Sequence, residues 1–178
     1  IRSDECDAYS FSWPYPDKTS LIKTGPFAKT IKPVLFRKRR VYMIGLSHEY
    51  PRSYGKSCVR QDLRIDHQPL YDNFSLKALK SKWINWSRIQ ARQLTKLHQL
   101  PVFNIKDKKN NRQYKLLYNI YRYPIFTGII ESMKYLIIYL SRGIAFAGIR
   151  SLKIALYEII YIWLVRYYIF KFKYGQRI

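Results

Sequence analysis

The sequence predicts a mainly α protein: a C-terminal antiparallel helical hairpin and one basic amphipathic helix, preceded by a long irregular basic N-terminal arm. Three observations predict it. Residues 1–72 carry six prolines and no sustained hydrophobic period. Residues 75–100 repeat apolar side chains at helical spacing. From Tyr114 onward apolar content rises steeply and is interrupted by glycine. The expected divisions are an arm with an acidic tip (1–72), the basic helix with its linker (73–112), and an apolar hairpin with a basic tail (113–178).

In the arm, Pro14, Pro16, Pro26, Pro33, Pro51 and Pro69 each bar a helix interior and push the preceding residue toward extended geometry. Short strands or turns, such as Arg40 to Leu46, are all that this spacing allows. An irregular basic arm that is nonetheless ordered needs something larger to hold it, because ordering costs roughly 1–2 kcal/mol per residue.

The segment 75–100 reads SLKALKSKWINWSRIQARQLTKLHQL, with Ser75 placed as an N-cap. At about 100° per residue, counted from Lys77, the residues Leu76, Leu79, Trp83, Trp86, Ile89, Leu94, Leu97 and Leu100 fall between about 120° and 260°. Lys77, Lys80, Arg88, Arg92 and Lys96 fall on the other side. One face is apolar and the other cationic. Trp83 and Trp86 are read as packing residues, with an interfacial aromatic belt as the alternative. Pro101 is expected to end the helix, and Lys106 to Arg112 to form a polar basic linker.

Residues 125–170 hold seven charges: Glu131, Lys134, Arg142, Arg150, Lys153, Glu158 and Arg166. The longest uncharged runs, Tyr135 to Ser141, Gly143 to Ile149 and Ile159 to Val165, fall well short of the roughly 18–20 residues a membrane span requires. Ser141-Arg142-Gly143 looks like a helix end with glycine at C′, and Ser151 is expected to cap the next helix. Two helices, about 126–141 and 149–171, are therefore expected to pack their apolar faces together as antiparallel neighbours.

The 178 residues contain 33 Lys and Arg against 11 Asp and Glu, a net charge of +22, with 17% aromatic and 48% apolar content. That apolar content excludes simple disorder. Two cysteines 52 positions apart are read as no disulfide framework, and Cys6, beside three acids, as an exposed terminal thiol. No phosphate loop, nucleophile elbow, zinc-protease motif or paired-carboxylate site occurs, so the chain is read as not an enzyme and without a cofactor or small-molecule substrate. His48, Cys58 and His67 are spaced unlike zinc ligands, so no metal is expected.

The charge is the feature that points to function. Asp4, Glu5, Asp7 and Asp17 crowd the first 17 residues, and between Asp72 and Asp107 lie seven Lys or Arg and no acid. Such a chain repels itself unless a polyanion compensates it. Basic residues interleaved with aromatics suit phosphate contact and base stacking. The candidate RNA contacts on the arm are Arg37, Lys38, Arg39, Arg40, Arg52, Tyr54, Lys56, Arg60 and Arg64. Those on the helix are Lys77, Lys80, Arg88, Arg92 and Lys96, and Lys108, Lys109 and Arg112 on the linker. The same interleaving also suits a membrane interface.

Residues 123–160 resemble the opening of the seventh small-subunit ribosomal protein family. The matching elements are Pro124-Ile125-Phe126, Lys134-Tyr135-Leu136, Leu140-Ser141-Arg142-Gly143, Ala155-Leu156 and Glu158-Ile159-Ile160. The basic turn of that family is replaced here by Ile144-Ala145-Phe146-Ala147, and its later helices have no room before Ile178. More broadly the chain is similar to organellar ribosomal proteins, being small, very basic and long-armed.

The expected function is that of a structural ribosomal-RNA-binding protein of a mitochondrial ribosome, in the matrix, with ribosomal RNA and neighbouring ribosomal proteins as partners. The alternative is a non-catalytic accessory subunit of a mitochondrial inner-membrane complex, respiratory-chain or ATP synthase, with other subunits and lipid as partners. No apolar signal-like run follows Ile1, and a composition rich in Ile, Tyr, Lys, Asn and Phe fits an organelle. Opening at Ile1 leaves a removed targeting segment, a non-standard start codon and a longer chain all open.

Overall fold

In a computed structural model the chain is mostly helical, about 60%, with four helices packed together and a small N-terminal mixed sheet. The structure describes residues 6–17, 20–22, 25–28, 30–43, 51–65, 74–97 and 108–175, with backbone alone at 16, 17, 20, 21 and 108–113. The chain divides into two compact units. One holds Ile1–Met43, Tyr50–Asp72 and Tyr139–Leu152; the other holds Ile44–Glu49, Asn73–Ile138 and Lys153–Ile178.

The first unit corrects the expectation of an irregular arm. Strand β1 (Ala8–Ser12) is the centre of a three-stranded sheet, antiparallel to β4 (Ile31–Phe36) and parallel to β7 (Ser57–Arg64). Ala8 and Phe11 are buried. Pro33 has no N–H to give a ladder, and it sits on an edge strand where the register shifts between Tyr9 and Ser10, a position proline tolerates. Two short antiparallel pairs complete the strands: β2 (Pro16–Asp17) with β3 (Ser20–Leu21), and β5 (Val41–Tyr42) with β6 (Arg52–Ser53).

A disulfide joins Cys6 to Cys58, with Cα atoms 6.0 Å apart, and ties the residue two before β1 to β7. Cys6 is 3% exposed. It is therefore a buried bridge, and not the exposed thiol expected from its acidic neighbours. The 52-residue separation concealed the pairing because the parallel β1–β7 register, which local sequence does not announce, brings the two together.

In the second unit, Ser75 caps the basic helix as expected, its hydroxyl accepting from the Ala78 amide at 3.1 Å. The helix runs as α1 (Leu76–Ala78), a π-helical turn (Leu79–Trp83) and α2 (Ile84–Thr95). The π turn adds about one residue and so rotates everything before it by about 100°. Leu76 accordingly leaves the apolar face and is 74% exposed. Pro101 lies outside the described residues.

Helix α3 (Lys108–Arg122) begins inside the stretch expected as a linker. Its apolar side, Leu117 with Tyr114, Ile120 and Tyr121, closes on Ala91, Leu94 and Leu97 of the basic helix segment and on Val165 and Ile169 of α5 (Gly148–Tyr174). Burial of that side extends the helix back through the polar residues.

Helices α4 (Pro124–Ser141) and α5 form the expected hairpin. Gly143 takes the left-handed conformation (φ 72°) that ends α4, and its amide donates to Leu140 O at 3.0 Å. Ser151 does not cap α5; that helix starts at Gly148, and Ser151 is fully buried inside it.

The packing of the hairpin departs from expectation. The side of α4 turned toward α5 is its polar side, carrying Thr127, Gly128, Glu131, Ser132 and Tyr135. Glu131 pairs there with Arg166, and a β-carbon on Gly128 would crowd Arg166 Cγ at 3.3 Å and Trp163 at 3.4 Å. Ile125, Phe126, Ile129, Ile130, Met133, Leu136 and Ile137 are exposed instead. Small Gly128 admits close approach, and the buried guanidinium of Arg166 demands a carboxylate, so the polar side wins the interior. Among the described residues no helix is long and apolar enough to cross a membrane.

Candidate nucleic-acid interface

Two basic segments separated by 13 residues meet in the first unit. Arg37–Arg40 form the turn between β4 and β5, and Tyr54–Lys56 the turn between β6 and β7. Pairing of Val41 with Ser53 and Tyr42 with Arg52 sets the turns side by side. The Tyr54 amide donates to Arg40 O at 3.0 Å. The rings of Tyr42 and Tyr54 lie 4.8 Å apart, and Tyr54 is 59% exposed.

The residue that organises this patch is an acid. Asp7 is buried, its amide donates to Lys56 O and its carbonyl accepts from the Arg37 amide, both at 2.8 Å. Its carboxylate accepts from Arg40 Nε at 3.4 Å. Gly55 crosses directly over that carboxylate, where a side chain would collide with it. Asp7 was legible only as a member of the acidic tip; nothing local in the sequence says that it sits beneath two cationic turns.

Around it Arg37, Lys38, Arg39, Arg40 and Lys56 are exposed and Arg52 is half-buried. Arg39 holds a left-handed backbone (φ 67°) that completes the turn. Arg64 is exposed at the end of β7. Arg60 is different: its guanidinium makes two hydrogen bonds to Asp62, at 2.6 and 2.8 Å. That pairing raises the Arg60 pKa and lowers that of Asp62. Asp62 thus already supplies Arg60 with a counter-charge.

In the second unit Lys77, Lys80, Arg88, Arg92 and Lys96 are all exposed, so the cationic face faces solvent as the periodicity predicts. Arg92 lies over the Phe172 ring at 5.4 Å and Arg88 donates to Asn85 at 3.1 Å. Lys82 lies over Trp86 at 4.3 Å, and burial lowers its pKa. The side chains of Lys108, Lys109 and Arg112 lie outside the described residues, as do His48 and His67. Sequence reasoning missed Arg122, which sits over Tyr118 and Tyr123 at 5.9 and 5.4 Å.

The second unit also holds a cavity of about 260 Å³ lined by Trp83, Gln90, Tyr135, Glu158 and Tyr161 beside the Glu131–Arg166 pair. Tyr161 donates to Gln90 at 2.5 Å, and burial pushes its pKa up to about 12. Among the described residues no group of His, Cys, Asp and Glu is arranged to hold a metal ion. Comparison with known proteins finds no family model, no curated protein and no solved structure that matches this chain.

Proposed function

We propose that the chain is a non-catalytic structural protein that binds ribosomal RNA in a mitochondrial ribosome. The observation that carries this reading is the joining of Arg37–Arg40 and Arg52–Lys56 into one cationic patch, exposed but for the half-buried Arg52, with Tyr54 at its edge. Cations clustered on paired turns suit contact with a phosphate backbone, and an exposed tyrosine offers a stacking surface. The cationic face of α1 and α2 adds a second phosphate-binding strip. Sedimentation of organelle lysate tests the reading: the chain co-migrates with a ribosomal subunit and shifts to light fractions after ribonuclease. Migration unaltered by ribonuclease contradicts it.

A second reading, an accessory subunit of an inner-membrane complex, is favoured by two observations. The exposed apolar side of α4 asks for a non-aqueous neighbour. The Cys6–Cys58 bridge persists most readily in an oxidising compartment, which the matrix is not. Retention of the chain in the membrane pellet at physiological salt after ribonuclease treatment supports this reading; recovery in the soluble fraction opposes it.

A further inference from the structure

We infer that the outward side of α4 docks on an anionic phospholipid bilayer, lying in the headgroup layer without crossing it. The inference rests on the second reading and names the partner of that surface. At about 100° per residue, Ile125, Ile129, Ile130, Met133, Leu136 and Ile137 occupy an arc of roughly 140°, all exposed. No polar residue interrupts that arc. Thr127, Glu131 and Ser132 of the same helix lie on its other side, where Glu131 meets Arg166. A helix inverted in this way has its carboxylate satisfied inside and its apolar atoms outside, the arrangement a lipid neighbour selects.

Charge complementarity decides which lipid. Among the described residues of this unit the only carboxylates are Glu131 and Glu158, and neither is exposed. The exposed cations of this unit include Lys134 at the border of the arc on α4, and Lys115 and Arg122 on the preceding helix α3. Arg122 donates to the Tyr118 hydroxyl at 3.3 Å and lies over the exposed Tyr123 ring, an amphipathic cluster at the N-terminal end of α4. Aromatic rings and cations at the border of an apolar stripe sit at headgroup depth, and each cation near an anionic surface adds to binding. A neutral bilayer offers the apolar gain without the charge term.

The test is flotation of the purified full-length chain with vesicles of phosphatidylcholine alone or with about one-third phosphatidylglycerol, a fraction that gives a strongly negative surface. The chain floats with the anionic vesicles, at least about tenfold more than with neutral ones, and high salt weakens it. Ile129→Glu with Ile137→Glu abolishes flotation while leaving the thermal melt unchanged, because both positions face outward. Ile137→Trp moves the fluorescence to shorter wavelength on anionic vesicles only. Failure of the wild-type chain to float overturns the inference, as does flotation by the double variant. If the chain in the organelle stays with the membrane pellet after ribonuclease treatment yet the purified chain does not float, the second reading stands and a protein partner, not lipid, covers α4.

Discussion

The buried carboxylate of Asp7 accepts a hydrogen bond from Arg40 Nε at 3.4 Å while Gly55 crosses directly above it. One acid thus pins two basic turns, through its backbone as well as its side chain. Gly55→Ala places a methyl group on the carboxylate and is expected to cost about 1–3 kcal/mol, the range for overpacking a tight site. In an Asp7→Ala background the same substitution costs much less, because the colliding group is gone. Urea unfolding of the four chains of this double-mutant cycle checks the coupling. Equal costs in both backgrounds would show that the two residues do not meet.

The Cys6–Cys58 bridge closes a separation of 52 residues, and a loop of that length removes about 4 kcal/mol of chain entropy from the unfolded state. Reduction, or Cys6→Ser with Cys58→Ser, is expected to loosen the sheet of the first unit. Hydrogen exchange across Ala8–Ser12 and Ser57–Arg64 reports it, with α2 and α5 retaining their protection. Thiol labelling before and after reduction shows which state the chain holds when isolated.

Tyr161 is expected to make stability fall in alkali. Its folded pKa is raised by burial to about 12 against an ordinary value of 10.0. Below pH 10 both states keep the proton and stability is unaffected by it. Between 10 and 12 the unfolded chain loses the proton and the folded chain does not, so stability is lost across that interval. Tyr161→Phe removes this fall and the hydrogen bond to Gln90, lowering neutral-pH stability by about 1 kcal/mol. Chemical denaturation of both chains at pH 8 to 12 separates the two effects.

Local rules were sufficient where a few neighbouring residues decide the structure. Ser75 as a cap, Gly143 at a left-handed helix end and the outward cations of the basic helix were all legible. Contacts at long range were not. The pairing of β1 with β7 and the bridge it permits depend on residues some fifty positions apart, and the meeting of the two basic turns depends on strands whose paired residues lie 10 to 12 positions apart. Helix α4 failed for another reason: periodicity shows that a helix has an apolar side but not what that side faces. The outcome there was decided by Arg166, whose buried charge drew in Glu131.

Binding of the full-length chain to a small-subunit ribosomal RNA transcript, measured across a salt series, tests the central claim most directly. If the joined turns engage about six phosphates, the logarithm of the affinity falls with the logarithm of salt at a slope of about −4 to −5. Arg37→Ala, Lys38→Ala and Arg52→Ala together, which leave the left-handed Arg39 untouched, make that slope shallower by roughly 2 to 3. A flat salt response, or a slope that the triple substitution does not change, contradicts the account.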